Sequence, residues 1–76
     1  MMSNQFLVCV SRAKQAFGVT METEDPRTRR NAQRRFNRAD ARAVVEWGKL
    51  NRSERKMLRS CEGTFVRRGH LYFTSY

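Results

Sequence analysis

Histidine, cysteine and glycine are scarce in this chain, and each scarcity removes a class of explanation. His70 is the one histidine, and the two cysteines, Cys9 and Cys61, stand far apart with no CxxC or HxxxH spacing. A metal site would need all three to converge, whereas zinc sites are usually marked by closely spaced ligand pairs. As a nucleophile and base, Cys61 and His70 lack an evident orienting acid. No cofactor, metal or enzymatic activity is therefore expected; Cys61 is read as core, and His70 as a packing or hairpin-tip residue. The four glycines are isolated, so no glycine-rich loop is present to cradle a phosphate.

Long apolar runs are missing too. Phe6-Leu7-Val8-Cys9-Val10 is only five residues long and gives way to Ser11 and Arg12, too short for a signal core or a membrane span. The expectation is an intracellular, cytoplasmic protein with no membrane partner, in which both cysteines are reduced and buried as small hydrophobes.

Acids are the last scarcity, with seven against sixteen lysines and arginines and a formal charge of +9. Seventy-six residues are expected to form a single domain, 1–76. A domain this small buries only about 60% of its unfolded surface, so a homodimer or a bound ligand would help to hold it together. Hydrophobic content of 39% with eight aromatics is enough for a folded core rather than a disordered tail.

The excess charge is concentrated. Residues 27–42 hold seven arginines and one acid, Asp40, which gives +6 of the +9. Wound as an α-helix, Arg27, Arg30, Arg34, Arg38 and Arg42 fall within roughly 120° of arc. Ala32, Phe36, Ala39, Ala43 and Trp47 fall within roughly 80° on the opposite side. A merely solvated face usually mixes signs, and here Asp40 and Glu46 are too few to lace the stripe. Arginine is always ionised and offers a planar fork of donors that matches phosphate oxygens. The stripe therefore points to an anionic partner, with nucleic acid, DNA or RNA, the first expectation. An acidic protein surface, docked and even inhibited, is the alternative.

Local signals divide the chain further. Residues 4–17 read as a helix with Phe6, Val10, Ala13 and Phe17 on one face and Gly18 as its cap. A strand over residues 6–10 is the competing reading, set aside because the apolar spacing continues to Phe17. Residues 19–25 form an acid-leaning linker, placed to lie against the arginine face. Asp25 and Pro26 open a helix over residues 26–48. That helix either runs straight, which puts Val45 inside the arginine arc, or breaks near Asn37, where Asp40 completes an approximate capping box. Asn51 and Glu54 form a second box, opening a helix over residues 51–62 that Gly63 stops. Residues 64–75 read as a β-hairpin turning at Arg68-Gly69, with Val66 facing Leu71 and Phe65 facing Tyr72. Trp47 and Phe73 are expected to pack inward, with Tyr72 and Tyr76 as candidate stacking surfaces. The fold class is thus mainly α with a C-terminal β-hairpin.

Helix, turn, helix and basic-tipped hairpin over residues 38–75 resemble a winged helix-turn-helix domain. The resemblance implies a DNA-reading helix over residues 51–61, acting through Arg52, Arg55, Lys56 and Arg59, and a wing presenting Arg67, Arg68 and His70. Val44 stands where that motif has a small residue and Glu54 where it has an apolar one. Separately, Thr28-Arg29-Arg30 followed by Arg34-Arg35 resembles the arginine-rich RNA-binding helices of phage N-type antitermination proteins, with one residue more between the pairs. That likeness implies a helix docked on structured RNA. Length, charge and the double methionine start resemble a small phage accessory protein, which would act in the cytoplasm of a bacterial host.

Overall fold

The computed structural model describes residues 4–73 and is mainly α with a C-terminal two-stranded hairpin. Helix α1 (Asn4–Glu22) and helix α2 (Pro26–Gly48) lie antiparallel, joined by residues 23–25. Two ring contacts fix their register: Phe6 meets Trp47 at 5.2 Å between centroids, and Phe17 meets Phe36 at 6.1 Å. Both pairs are eleven residues apart on their own helix (17 − 6 and 47 − 36), about three turns, so they recur on the same seam. Ala13, Ala32 and Ala43 are fully buried between them, small residues that let the two backbones approach.

The apolar spacing does not end α1 where a glycine signal would. The helix runs through Gly18 to Glu22, and the linker shrinks to three residues. Ala32 lies one turn before Phe36 on α2 and is fully buried, so the antiparallel register calls for one more turn of α1 to cover it. Burial of that seam outweighs the roughly 1 kcal/mol that glycine costs inside a helix. Thr20 closes the turn by donating its hydroxyl to the Phe17 carbonyl at 2.6 Å.

Helix α2 starts as the sequence signals require. The Asp25 carboxylate accepts the Thr28 hydroxyl at 2.6 Å and the Thr28 backbone N–H at 3.2 Å, with Pro26 at the first position. The hydrogen bonds from Thr28, side chain first, hold the Asp25 carboxyl below its ordinary value of 3.8. The helix does not break at Asn37, whose side chain accepts a 3.0 Å hydrogen bond from Gln33 one turn earlier. Ala39, Ala43 and Trp47 are buried beyond that point, and continuing the helix is what keeps them on the face of Ala32. Val45 is accordingly left 53% exposed.

Helix α3 (Arg52–Met57) opens on the expected reciprocal box: Glu54 N–H donates to Asn51 Oδ1 at 2.8 Å, and Asn51 N–H donates to Glu54 Oε1 at 3.1 Å. After one and a half turns it widens into a π turn, Leu58–Glu62, closed by Gly63 at φ 63°. Leu58 is fully buried while Cys61 is exposed, which corrects the expectation of two buried cysteines. In an α-helix the two would share a face at i, i+3; the i→i+5 winding carries Cys61 off it.

Strands β1 (Thr64–Arg67) and β2 (His70–Phe73) pair as expected, Phe65 with Tyr72 and Val66 with Leu71. Arg68 and Gly69 both have positive φ, 53° and 77°, the signature of a type I′ turn. One hairpin face, Thr64, Val66, Leu71 and Phe73, covers the helices, with Phe73 edge-on to Phe17 at 6.0 Å. The expected strand end at residues 74–75 and the stacking role of Tyr76 lie outside the described residues.

Candidate nucleic-acid interface

An uninterrupted α2 places Arg27, Arg30, Arg34, Arg38 and Arg42 along one face, and all five are exposed. From Arg27 to Arg42 the helix rises about 22 Å at 1.5 Å per residue. Arg42 is 3.5 Å from the buried carboxylate of Glu46, which Lys49 also reaches at 3.1 Å. No ion pair engages the other four among the described residues. The acid-leaning linker does not neutralise this face. Among the described residues its carboxylates make no ion pair with an arginine, and Arg29 is instead held by the Thr23 carbonyl at 2.8 Å.

Asp40, the single acid of the segment, sits on the flank of α2 and faces the hairpin. Its Oδ1 accepts the Leu71 backbone N–H at 2.6 Å and its Oδ2 lies 3.2 Å from His70 Nδ1. That clamp brings the hairpin tip alongside the middle of α2. Arg67, Arg68 and His70 are exposed there, and Tyr72 stacks on Phe65 at 5.4 Å with Arg59 over the Phe65 ring at 5.6 Å.

The third expected patch is divided by the fold. Arg52 and Lys56 are exposed on α3. Arg55 turns back instead, donating Nε to the Trp47 carbonyl at 3.2 Å and Nη2 to the Gly48 carbonyl at 3.3 Å, with its guanidinium 5.8 Å from the Trp47 ring. The Trp47 carbonyl also accepts the Leu50 backbone N–H at 3.1 Å, so Arg55 adds a side-chain cap over the last carbonyls of α2. Arg59 is likewise drawn onto Phe65.

A second basic feature escapes a helix-by-helix reading. On the α2 flank opposite Asp40, an open groove of about 1150 Å³ runs between α1 and α2. Val8, Cys9, Ala16 and Val19 from α1 and Ala39 from α2 line it, with Arg12 on one side and Arg35, Arg38 and Arg42 on the other. Glu22 also lines it near the end of α1, so the walls are cationic on balance rather than throughout. Burial and the nearby Glu46 carboxylate push the Cys9 thiol up, although Arg42 and Arg12 act in the opposite sense. The thiol is protonated at neutral pH and forms inert floor. The i, i+4, i+11 spacing of Val8, Arg12 and Val19 was the signal available in the sequence, but the groove exists only once two helices pair.

Among the described residues, no three His, Cys, Asp or Glu side chains converge as a metal site would require. No helix among the described residues is long and apolar enough to cross a membrane. Comparison with protein-family models, with curated proteins and with solved structures finds no match.

Proposed function

We propose that this chain is a non-enzymatic nucleic-acid-binding protein that lays the outer face of α2 along a phosphate backbone, with the hairpin tip as a second contact. The observation that carries the reading is the line of Arg27, Arg30, Arg34 and Arg38, exposed on a straight helix and unpaired among the described residues. Phosphates on one strand of duplex DNA rise about 3.4 Å each along the axis, so the roughly 16 Å of helix from Arg27 to Arg38 matches the axial rise of about five of them. An α-helix about 10–12 Å across also fits the major groove of B-DNA, about 12 Å wide.

The turn supports the tip as a contact. Arg68 occupies a left-handed position, φ 53°, that asparagine or glycine fills at less cost. A strained residue that is also charged and exposed reads as kept for binding. The short α3, with Arg55 engaged on α2 and Arg59 on Phe65, favours the α2 face over the reader helix that the winged resemblance implies.

Purification under nuclease, followed by titration with duplex DNA and hairpin RNA across a salt series, tests the proposal. Neutralising about four to seven phosphates predicts a log–log salt slope of about −4 to −6 on duplex DNA. Affinity that does not change with salt, or no binding to either nucleic acid at low salt, would overturn it.

A further inference from the structure

The α1–α2 groove joins an apolar floor to cationic walls, and no phosphate backbone satisfies both. Phosphates would pair with the walls but leave Val8, already 38% exposed, and the half-buried Val19 in water above the buried Ala16 and Ala39. A second copy could cover the floor, yet it would bring arginine walls together between two chains that each carry +9. The ligand that meets both surfaces is a helix with an apolar stripe along one face and acids along both edges.

Geometry agrees with the chemistry. Packed helices keep their axes about 8–10 Å apart, so a third helix seated over the α1–α2 seam completes a three-helix bundle. Arg35, Arg38 and Arg42 are spaced i, i+3, i+7, steps of about 4.5 and 6 Å along α2, the same rise that separates acids one turn apart on a neighbouring helix. Arg12 supplies the opposite wall from α1. The buried Glu46 carboxylate pairs with Arg42 at 3.5 Å and with Lys49 at 3.1 Å, which draws the Arg42 side chain toward the C-terminal end of α2.

We infer that the groove between α1 and α2, floored by Val8, Ala16, Val19 and Ala39 and walled by Arg12 and Arg35, docks an acidic amphipathic helix of a partner protein. This surface shares Arg38 and Arg42 with the nucleic-acid face but can be separated from it at Arg12 and Val8, which belong to α1. A chain with both surfaces would tether an acidic protein segment to a nucleic acid.

The test uses a fluorescein-labelled peptide of about 18 residues with a leucine stripe at helical spacing and glutamates on both edges, titrated by anisotropy in roughly 0.15 M salt, where charge attraction beyond about 8 Å is screened. A scrambled peptide of identical composition should bind at least tenfold more weakly. Arg12→Glu with Val8→Gln should lower affinity for the striped peptide tenfold or more and alter duplex binding less than threefold. Arg30→Gln with Arg34→Gln should do the reverse. Amide shifts on the unaltered protein should centre on Ala16, Val19 and Ala39, which keeps the test independent of how the variants fold. Equal affinity for the two peptides, or shifts centred elsewhere, would overturn the inference. So would competitive displacement of the peptide by a short DNA single strand that itself needs Arg12 and Val8. Peptide binding without binding to either duplex DNA or hairpin RNA would leave this inference standing and reject the nucleic-acid reading.

Discussion

The carboxylate of Asp40 accepts the backbone N–H of Leu71 at 2.6 Å, across thirty-one residues of chain. In a two-residue hairpin the pair beside the turn, Arg67 and His70, exchanges the ladder bonds, so the N–H of Leu71 points away from β1. Asp40 stands in for the missing third strand. This explains why one acid persists in an arginine-rich segment: it anchors the hairpin and leaves the cationic face undiluted.

Asp40→Ala should destabilise the protein by about 1–3 kcal/mol, because it leaves a half-buried N–H without its acceptor. Asp40→Asn keeps an oxygen in place and should cost less. Urea unfolding gives both values, and exchange of the Leu71 amide should accelerate in the alanine variant well before that of residues in α1. Unchanged Leu71 exchange would contradict the clamp.

Much of this architecture was legible because periodicity is a local property. The arginine and alanine faces of α2, the Asp25 and Asn51 caps and the Arg68-Gly69 register all follow from spacings within a few residues. What was not legible depended on a second element. The continuation of α1 through Gly18 requires Ala32 to be covered. The exposure of Cys61 requires a π turn that seats Leu58 against the helices. The recruitment of Arg55 to the Trp47 and Gly48 carbonyls depends on how the chain turns at Leu50, and the groove walled by Arg12 and Arg35 belongs to neither helix alone.

The Asp25 cap has a pH signature. Its folded-state pKa lies below 3.8, so its contribution to stability is fully present above that value and is lost as pH falls through the lower folded one. Asp25→Asn keeps an N-cap acceptor without a titrating group. Between the two proteins, the acid limb of the stability curve should be shallower in the asparagine variant, as followed by helical circular dichroism. Identical acid limbs would mean that the Thr28 hydrogen bonds do not persist in solution.

Arg68→Asn should move stability and affinity in opposite directions. Asparagine tolerates the left-handed conformation better, which should stabilise the hairpin by up to about 1 kcal/mol. If the tip meets phosphate, the same change removes one cation from the interface and reduces the salt slope by about 0.9 on duplex DNA. Greater stability with an unaltered slope would remove the tip from the interface.

Thiol labelling reads out the π turn. In the native protein Cys61 should react promptly with an aromatic disulfide reagent, whereas Cys9, only 4% exposed, should react only as the chain unfolds. Two thiols labelled together at the native rate, or none, would show a different winding of residues 58–62.

The central claim is that the outer face of α2 carries the binding, and the triple change of Arg30, Arg34 and Arg38 to glutamine tests it most directly. Glutamine is nearly as good a helix former as arginine, so stability should alter little. Affinity for duplex DNA or hairpin RNA should fall roughly uniformly across sequences. The duplex salt slope should shrink by about 0.9 for each phosphate left without its arginine, close to ~3 in all. A folded triple variant that keeps full affinity and the full slope would contradict the account.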